Sequence, residues 1–263
     1  MKKYIVIILV IGIIGGIFLN YRLKETKTSF LQLDQDDFVV PDTSSFKIMT
    51  YNIQHGGKGN KSNIDKIADL ISNSGAWIVG LNEVDDTMAR SNFQKQYQKL
   101  GEKLQMDYAF APAVTKVFSK YGNALLTTFP IQEVKNHSLP VEADDEPRSL
   151  LEARLMLTSD KEVTVMVTHL SAEKKNREKQ IKWIEDFIDS KETPFILMGD
   201  FNSTRIGSIA GFKSISQNLK TYPSSSPSFA IDKIFSNIDN LNKPEVINVK
   251  LSDHLPLVAE FKL

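Results

Sequence analysis

The chain has 263 residues, of which 41% are hydrophobic and 24% are charged. These proportions are typical of globular proteins and exclude a wholly disordered chain or a long coiled coil. The 32 basic and 32 acidic residues give a formal net charge of zero, so overall charge gives no argument for a broad nucleic-acid-binding surface. Cysteine is absent, which excludes disulfides, thiolate nucleophiles and zinc sites built from cysteine.

An uncharged segment near the N-terminus predicts a membrane anchor. Residues 4–21 carry no charged side chain, and a helix of that length spans about 27 Å, enough to cross a thin bilayer. A cleaved secretory signal is the alternative, but no small-x-small cleavage site follows the segment. We therefore expect residues 1–21 to be a single-pass membrane anchor, with 4–21 as its transmembrane helix. Basic residues flank both of its ends, and we expect the following domain to lie outside the cytoplasm because the segment resembles a signal anchor.

Residues 22–45 are predicted to be a tether. They contain few large apolar side chains and end in the turn-forming run Pro41-Asp42-Thr43-Ser44-Ser45. Residues 1–41 hold five basic and four acidic side chains, so the remainder of the chain is also nearly neutral.

From residue 46 onward, short apolar runs alternate with a few amphipathic segments. Apolar spacing predicts helices at 62–73, with Gly75 as its stop, and at 91–105 and 173–189. Apolar runs predict strands at 46–51, 76–81, 107–114, 123–128, 131–139, 148–157, 162–169, 194–198, 231–235, 246–250 and 257–261. Many strands with few long helices predict one α/β domain, 46–263, in which two sheets pack together with helices outside.

Polar residues follow many of the predicted strands. Loops after strands are where rigid scaffolds usually display functional groups. Each such residue alone has an ordinary structural explanation, as a turn cap or a solvated charge, but the set together indicates a site. Its members are Asn52, His55, Glu83, His169, Asp200, Asn202, Asp232, Asp253 and His254.

The types of these residues suit metal-assisted phosphoester hydrolysis. Hard divalent cations prefer oxygen ligands, which Asn52, Glu83 and Asp253 supply. The reaction also needs a base for water and donors for the developing phosphate charge. Asp200 can be the base and Asn202 a neutral donor. The two histidines, His169 and His254, can donate hydrogen bonds, and Asp232 is the natural partner to fix the tautomer of His254.

The order of the motifs resembles that of the endonuclease/exonuclease/phosphatase superfamily, the DNase I-like proteins, over residues 46–263. The matching pieces are Tyr51-Asn52-Ile53, Leu81-Asn82-Glu83-Val84, Gly122-Asn123-Ala124-Leu125-Leu126, Thr168-His169-Leu170, Gly199-Asp200-Phe201-Asn202, Ile231-Asp232-Lys233-Ile234-Phe235 and Ser252-Asp253-His254-Leu255-Pro256. Within the superfamily, the chain is similar to small stand-alone bacterial metal-dependent hydrolases that also carry Tyr-Gly-Asn-Ala-Leu-Leu, here 121–126, and Glu-Pro-Arg, here 146–148.

This resemblance implies a four-layer αββα sandwich and a set of residue roles. Mg²⁺, with Mn²⁺ as a possible substitute, is expected at a metal site formed by Asn52, Glu83 and Asp253. Phosphate is expected to contact Arg148, Asn202 and His169. The expected catalytic residues are His169, Asp200, Asn202, Asp232 and His254.

Three features depart from the family pattern or stay unassigned. Many members have an acid two residues after the motif asparagine, where this chain has Gln54, so a second strong metal site is in doubt. The residue before the metal-binding glutamate is commonly glutamine, and here it is Asn82. The sequence identifies no acidic partner for His169.

The resemblance leaves the substrate open, because the superfamily cleaves phosphoesters in nucleic acids, lipid head groups and small molecules. The first hypothesis is a membrane-anchored, divalent-metal-dependent phosphodiesterase or phosphatase, expected to be monomeric. The alternative is a membrane-anchored endonuclease of the DNase I type, although the domain is neutral and the loop at 142–146 is acidic. A catalytically inactive binding module of the same fold would predict gaps in the ligand set, and the set is complete.

Overall fold

The computed structural model describes residues 29–31, 44–57, 63–142, 144–190 and 193–263. The predicted transmembrane helix at 4–21 lies outside these residues. Within the described part of the chain, no helix is long and apolar enough to span a bilayer. Most of the predicted tether is also outside the described residues, but Ser29–Leu31 form a strand, β1.

The described residues form three α-helices among runs of consecutive short strands. The helices are α1 (Ile64–Ser74), α2 (Gln96–Leu104) and α3 (Lys174–Asp189). The remaining strands are β2 (Ser45–Asn52), β3 (Ala76–Asp86), β4 (Asp107–Thr115), β5 (Lys120–Thr127), β6 (Ile131–Ser138), β7 (Ser149–Met156), β8 (Glu162–His169), β9 (Phe195–Asp200), β10 (Ser208–Ile209), β11 (Phe212–Lys213), β12 (Asp232–Ser236), β13 (Glu245–Val246) and β14 (Leu257–Lys262).

Two sheets account for most of these strands. Among the described residues, the larger sheet has seven strands in the order β1-β4-β5-β3-β2-β14-β13, and the smaller has five in the order β12-β9-β8-β7-β6. Most neighbours are antiparallel, but β2 runs parallel to β3 and β8 runs parallel to β9. The C-terminal ends of these two parallel pairs define what we call the cleft edge, because the polar motif residues follow them.

Apolar side chains divide the molecule into four layers. One core lies between the inner faces of the sheets, for example Ile48, Ile78 and Leu125 against Val165, Val167 and Met198. A second core joins the outer face of the larger sheet to α1 and α2, and a third joins the smaller sheet to α3. The predicted layered α/β sandwich is therefore confirmed, and burial of alternate strand faces is its physical cause.

Some element boundaries differ from the sequence prediction for identifiable reasons. The helix predicted to begin at 91 begins at Gln96, because Asn92 and Phe93 adopt left-handed backbone conformations with φ of 55° and 56°. The strand predicted at 246–250 is only the two residues of β13, because beyond Val246 the chain leaves its pairing with β14. Helix α1 does end at Gly75, whose φ of 68° is the left-handed cap that glycine favours.

Candidate active site

Strand register brings the polar motif residues to one edge of the sandwich. In the larger sheet, Asn52 at the end of β2 lies opposite Asn82 in β3. In the smaller sheet, Asp200 at the end of β9 lies opposite both His169 of β8 and Asp232 of β12. Because both parallel pairs end at the cleft edge, side chains that are far apart in sequence converge there.

Asn82 joins the two sheets beneath this edge. Its Oδ1 accepts a hydrogen bond of 2.9 Å from the Asp200 backbone N–H, and its Nδ2 donates to Asn123 Oδ1 at 2.8 Å and to the Thr168 carbonyl at 2.9 Å. All of these groups are buried. The asparagine that departs from the usual glutamine therefore fixes the position of Asp200 relative to the larger sheet, a role that the sequence analysis missed.

The carboxylate of Asp200 is the centre of the polar network. Its Oδ2 accepts a 3.1 Å hydrogen bond from Asn52 Nδ2 and lies 3.5 Å from Nε2 of both His169 and His254. Burial and the neighbouring Asp232 carboxylate raise the pKa of Asp200 to about 7. A carboxyl group with that pKa can take up and release a proton near neutral pH.

His254 is held by a carboxylate on its other side. Its Nδ1 donates to Asp232 Oδ2 at 2.9 Å, and the same oxygen accepts a hydrogen bond from the Thr221 hydroxyl. Burial opposes the charged imidazolium, but the carboxylates of Asp232 and Asp200 outweigh it and raise the pKa of His254 to about 10. His254 is therefore a cation at neutral pH, with Nε2 available to a ligand in the cleft.

His169 has the opposite protonation state. Burial, reinforced by the positive charge of Arg148, holds the pKa of His169 well below its usual range. Asn202 Nδ2 lies 3.0 Å from His169 Nε2 and also donates to the Leu170 carbonyl at 2.9 Å, while the Asn202 backbone N–H donates to Asp200 Oδ1 at 2.8 Å. A neutral His169 accepts from Asn202 at Nε2, and the acidic neighbour that the sequence did not identify is Asp200, whose Oδ2 lies 3.5 Å from the same nitrogen. A phosphate bound by Asn202 Nδ2 would have to replace one of these acceptors.

Glu83 enters the cleft through an irregularity in β3. The pairing of β3 with β5 shifts register between Leu81 and Val84, and Glu83 has a φ of 58°. Such a bulge redirects a side chain out of the regular alternation of the strand. Asn52 Nδ2 donates to Glu83 Oε1 at 3.0 Å, and His55 Nε2 lies 3.3 Å from Glu83 Oε2.

The donor set around Glu83 fits a hard divalent cation. Glu83 and Asp253 offer carboxylate oxygens, the ligand type that Mg²⁺ prefers. The amide oxygen of Asn52 accepts a hydrogen bond from the Gln54 N–H at 3.1 Å while its Nδ2 faces Glu83, so the Asn52 side chain would have to turn to present that oxygen to a cation. Asp253 Oδ2 accepts from Gln54 Nε2 at 3.0 Å. Gln54 Oε1 is buried and has no hydrogen-bond partner within the described residues. An oxygen that could accept from a water or bind a cation therefore lies on the residue bonded to Asp253. The structure brings Asn52 and Glu83 into contact, and Asp253 lines the same cleft as Glu83.

A second group of atoms could also hold an ion. One oxygen each of Asp200 and Asp232 and one nitrogen of His254 lie within 4.8 Å of one another. In this group the Asp232 oxygen already accepts hydrogen bonds from His254 and Thr221.

The cleft has a volume of about 440 Å³. It is also lined by Arg90, Tyr121, Glu146 and Arg148, most of which the sequence analysis did not place in the site. Arg148, only 11% exposed, pairs with Glu146 at 3.2 Å, and its buried Nε has no partner among the described groups. Arg90 lies over the Tyr121 ring, 5.1 Å from its centroid, and forms a two-pronged contact with Asp85. Of these residues only Arg148 was predicted to have a role in the site. Arg90 and Tyr121 become neighbours because Asp85, which binds Arg90, lies opposite Tyr121 in the β3–β5 pairing.

The order and the convergence of these residues agree with comparison to known proteins. The family model described as "Endonuclease/Exonuclease/phosphatase family" matches residues 49–254. The chain belongs to this family. Its members are phosphoester hydrolases, so the chain is assigned to that class of hydrolase.

Relatives in the endonuclease/exonuclease/phosphatase family extend over most of the chain. The uncharacterized protein YbhP of Escherichia coli (strain K12) is 26% identical over 256 residues, covering 85% of this chain and 100% of YbhP. The endonuclease/exonuclease/phosphatase from Beutenbergia cavernae DSM 12333 superposes with a TM-score of 0.69 at 20% identity, covering 84% of this chain and 72% of its own. The mannosyl-6-phosphatase Bt3783 of Bacteroides thetaiotaomicron VPI-5482 gives a TM-score of 0.68 at 18% identity, with 83% and 100% covered. At these identities the two solved structures establish the fold alone.

Proposed function

We propose that the chain is a divalent-metal-dependent phosphodiesterase or phosphatase held at a membrane by residues 4–21, with its catalytic domain outside the cytoplasm. The observation that carries the chemical part is the position of Asp200, whose Oδ2 contacts Asn52 and lies 3.5 Å from two imidazoles with opposite protonation states. One oxygen is thus adjacent to both the cation-binding residues and the phosphate-binding residues. The uncharged segment at 4–21 supports the membrane part.

Asn52 and Glu83, with Asp253 beside them, would hold Mg²⁺ or Mn²⁺. When bound, the cation polarises the phosphoryl oxygen and neutralises developing negative charge. Arg148 and His254 line the same cleft and would supply positive charge there, and the burial of both side chains strengthens their interactions with phosphate.

Asp200 is the proposed base. Its pKa of about 7 allows the carboxylate to accept a proton from the attacking water at neutral pH. Asn202 and Asn52 orient this carboxylate through the hydrogen bonds to its two oxygens. The His254 imidazolium, whose orientation is fixed by Asp232, donates from Nε2 to a phosphate oxygen as negative charge increases.

The charge distribution of the cleft supports a small phosphoester or a single lipid head group over double-stranded DNA. Glu83, Glu146 and Asp253 lie in the same cleft as Arg90 and Arg148, so this surface is mixed in charge. Duplex binding relies on many phosphate contacts to basic side chains. The endonuclease is the alternative that a substrate panel distinguishes.

The test uses the full chain purified in mild detergent. It is assayed with bis-p-nitrophenyl phosphate, p-nitrophenyl phosphate, sphingomyelin, phosphoinositides and plasmid DNA, each with Mg²⁺, Mn²⁺ or EDTA. We expect cation-dependent hydrolysis of a small or lipid-linked phosphoester, lost in both Asp200→Ala and His254→Ala. Preferential nicking of plasmid DNA would favour the endonuclease. Absence of cation-dependent hydrolysis of every substrate, or activity equal to that of the native chain in either variant, would contradict the proposal.

A further inference from the structure

The turn between β4 and β5 carries exposed apolar side chains at its tip. The Lys116 N–H donates to the Ser119 carbonyl at 2.8 Å, closing a four-residue turn. At its centre, Val117 is 68% exposed and Phe118 is 87% exposed. Exposure of a phenylalanine to this degree leaves most of its apolar surface in water, so two such neighbours on a protruding turn are a candidate contact surface.

Basic side chains flank the apolar tip. Lys116 is exposed and Lys120 is half-buried, one on each side of Val117 and Phe118. Asp86 lies opposite Lys120 in the β3–β5 pairing, and its carboxylate accepts hydrogen bonds from Thr87 and Tyr97. The tip therefore combines two large apolar side chains with positive charge, the combination that favours the interface of an anionic bilayer.

The tip lies at the cleft edge. Lys120 pairs with Asp86 at the C-terminal end of β3, and the next residue, Tyr121, lines the cleft. Phe93, 67% exposed, lies in the loop that follows Asp86 at the same edge. A surface touching the tip would thus also face the opening of the cleft.

The direction of β1 brings the N-terminal part of the chain toward the same edge. β1 is antiparallel to β4, with Ser29 opposite Phe110 and Leu31 opposite Tyr108, so the chain enters β1 from the side of Thr115. From Phe110 to Thr115 is about 17 Å along the strand. The seven residues 22–28 can span at most about 25 Å, so a bilayer holding residues 4–21 is within reach of the tip.

We propose that the turn formed by residues 116–119, with Lys120, docks on the surface of an anionic phospholipid bilayer and presents the cleft to that surface. This inference rests on the membrane location in the proposed function, but not on its chemistry. The partner is the lipid surface itself, through phosphate head groups at Lys116 and Lys120 and interfacial insertion of Val117 and Phe118.

The absence of cysteine from the native chain makes a site-specific test direct. Full chains carrying Ser119→Cys or Ser159→Cys are labelled with an environment-sensitive fluorophore. Ser159 lies in the exposed turn between β7 and β8, at the end of the sandwich opposite the cleft edge. Each labelled chain is mixed with phosphatidylcholine vesicles, with or without phosphatidylglycerol, that contain a lipid-borne quencher.

We expect quenching at position 119 with the anionic vesicles and not at 159. In the Ser119→Cys chain, Lys116→Gln with Lys120→Gln should shift the docking equilibrium about thirtyfold toward the undocked state, and Phe118→Ser about tenfold. Leu241→Ser is the matched control, because Leu241 is also an exposed apolar residue but bonds to Glu260 at the far end of β14. This control should leave the quenching unchanged.

Equal quenching at positions 119 and 159 would contradict the proposed docking surface. Quenching at 119 that changes neither with phosphatidylglycerol nor with substitution of both lysines would also contradict it. A change in the fluorescence of the label at 119 on adding a single-stranded oligonucleotide, but not on adding vesicles, would contradict lipid docking and indicate a nucleic-acid-binding surface. Hydrolysis of bis-p-nitrophenyl phosphate by the same variants separates the two proposals. Docking without any hydrolysis refutes the proposed chemistry alone, and hydrolysis without docking refutes the lipid surface alone.

Discussion

Replacing Asp232 with asparagine should move the alkaline limit of activity toward neutral pH. Asp232→Asn keeps the size of the side chain but removes the negative charge 2.9 Å from His254 Nδ1. In the native chain His254 must be protonated to donate to phosphate, so activity is retained below its pKa of about 10 and falls as pH rises through that value. The variant should lose activity at a lower pH.

The size of the effect follows from the burial of the pair. Removing one partner of a buried ion pair costs about 3 to 5 kcal/mol, and one pKa unit corresponds to about 1.4 kcal/mol. The pKa of His254 should therefore fall by about 2 to 4 units, and activity at pH 9 should fall much more than activity at pH 6.

The measurement is a profile of kcat against pH from 5 to about 10.5 with saturating bis-p-nitrophenyl phosphate and Mg²⁺, covering the pKa range above. Thr221→Val is the matched control, because it removes the other hydrogen bond to Asp232 Oδ2 and retains the carboxylate. Its alkaline limb should stay near that of the native chain. An unchanged alkaline limb in Asp232→Asn would refute the assignment of that limb to His254.

Three further substitutions test the cation site, the catalytic histidine and the strand beneath the site. Glu83→Gln should raise the Mg²⁺ concentration for half-maximal activity at least about tenfold, and direct Mn²⁺ titration should show the same loss of affinity. His254→Ala should lower kcat at least about a hundredfold. His137→Ala is its control and should leave kcat unchanged, because His137 bonds to Glu152 outside the cleft. Gly199→Ala should lower the free energy of unfolding by about 3 kcal/mol or more, because φ is 143° and a Cβ would lie 1.9 Å from the Thr168 carbonyl oxygen. Gly211→Ala, with a φ of 77° and open space around it, is its control in the thermal melts.

Each of these results has a clear contrary outcome. An unchanged cation requirement and affinity in Glu83→Gln would remove Glu83 from the proposed ligands. Similar turnover in the two histidine variants would place the essential imidazole elsewhere. If Gly199→Ala and Gly211→Ala have the same melting temperature, close packing of β9 against Thr168 does not constrain the backbone before Asp200.

The sequence was sufficient for the layered fold and for the positions of most elements. Alternating or continuous apolar runs report burial directly, so β2, β8 and β14 were predicted closely, and Gly75 marked the end of α1. Where backbone conformation depended on tertiary contacts, the pattern failed. The left-handed residues before α2 are an example, since Asp85 and Gln96 are joined there by a hydrogen bond that no local pattern encodes.

For the site, the sequence by itself determined which chemical groups are present and that they follow strand ends, because side-chain type and apolar periodicity are local properties. It did not determine which groups meet. Only the register of the two sheets places Asp200 between His169 and His254, and only the bulge in β3 turns Glu83 toward Asn52. The sheet-joining role of Asn82 and the stacking of Arg90 on Tyr121 were likewise decided by the tertiary structure, because contacts across strands depend on pairing between residues distant in the chain.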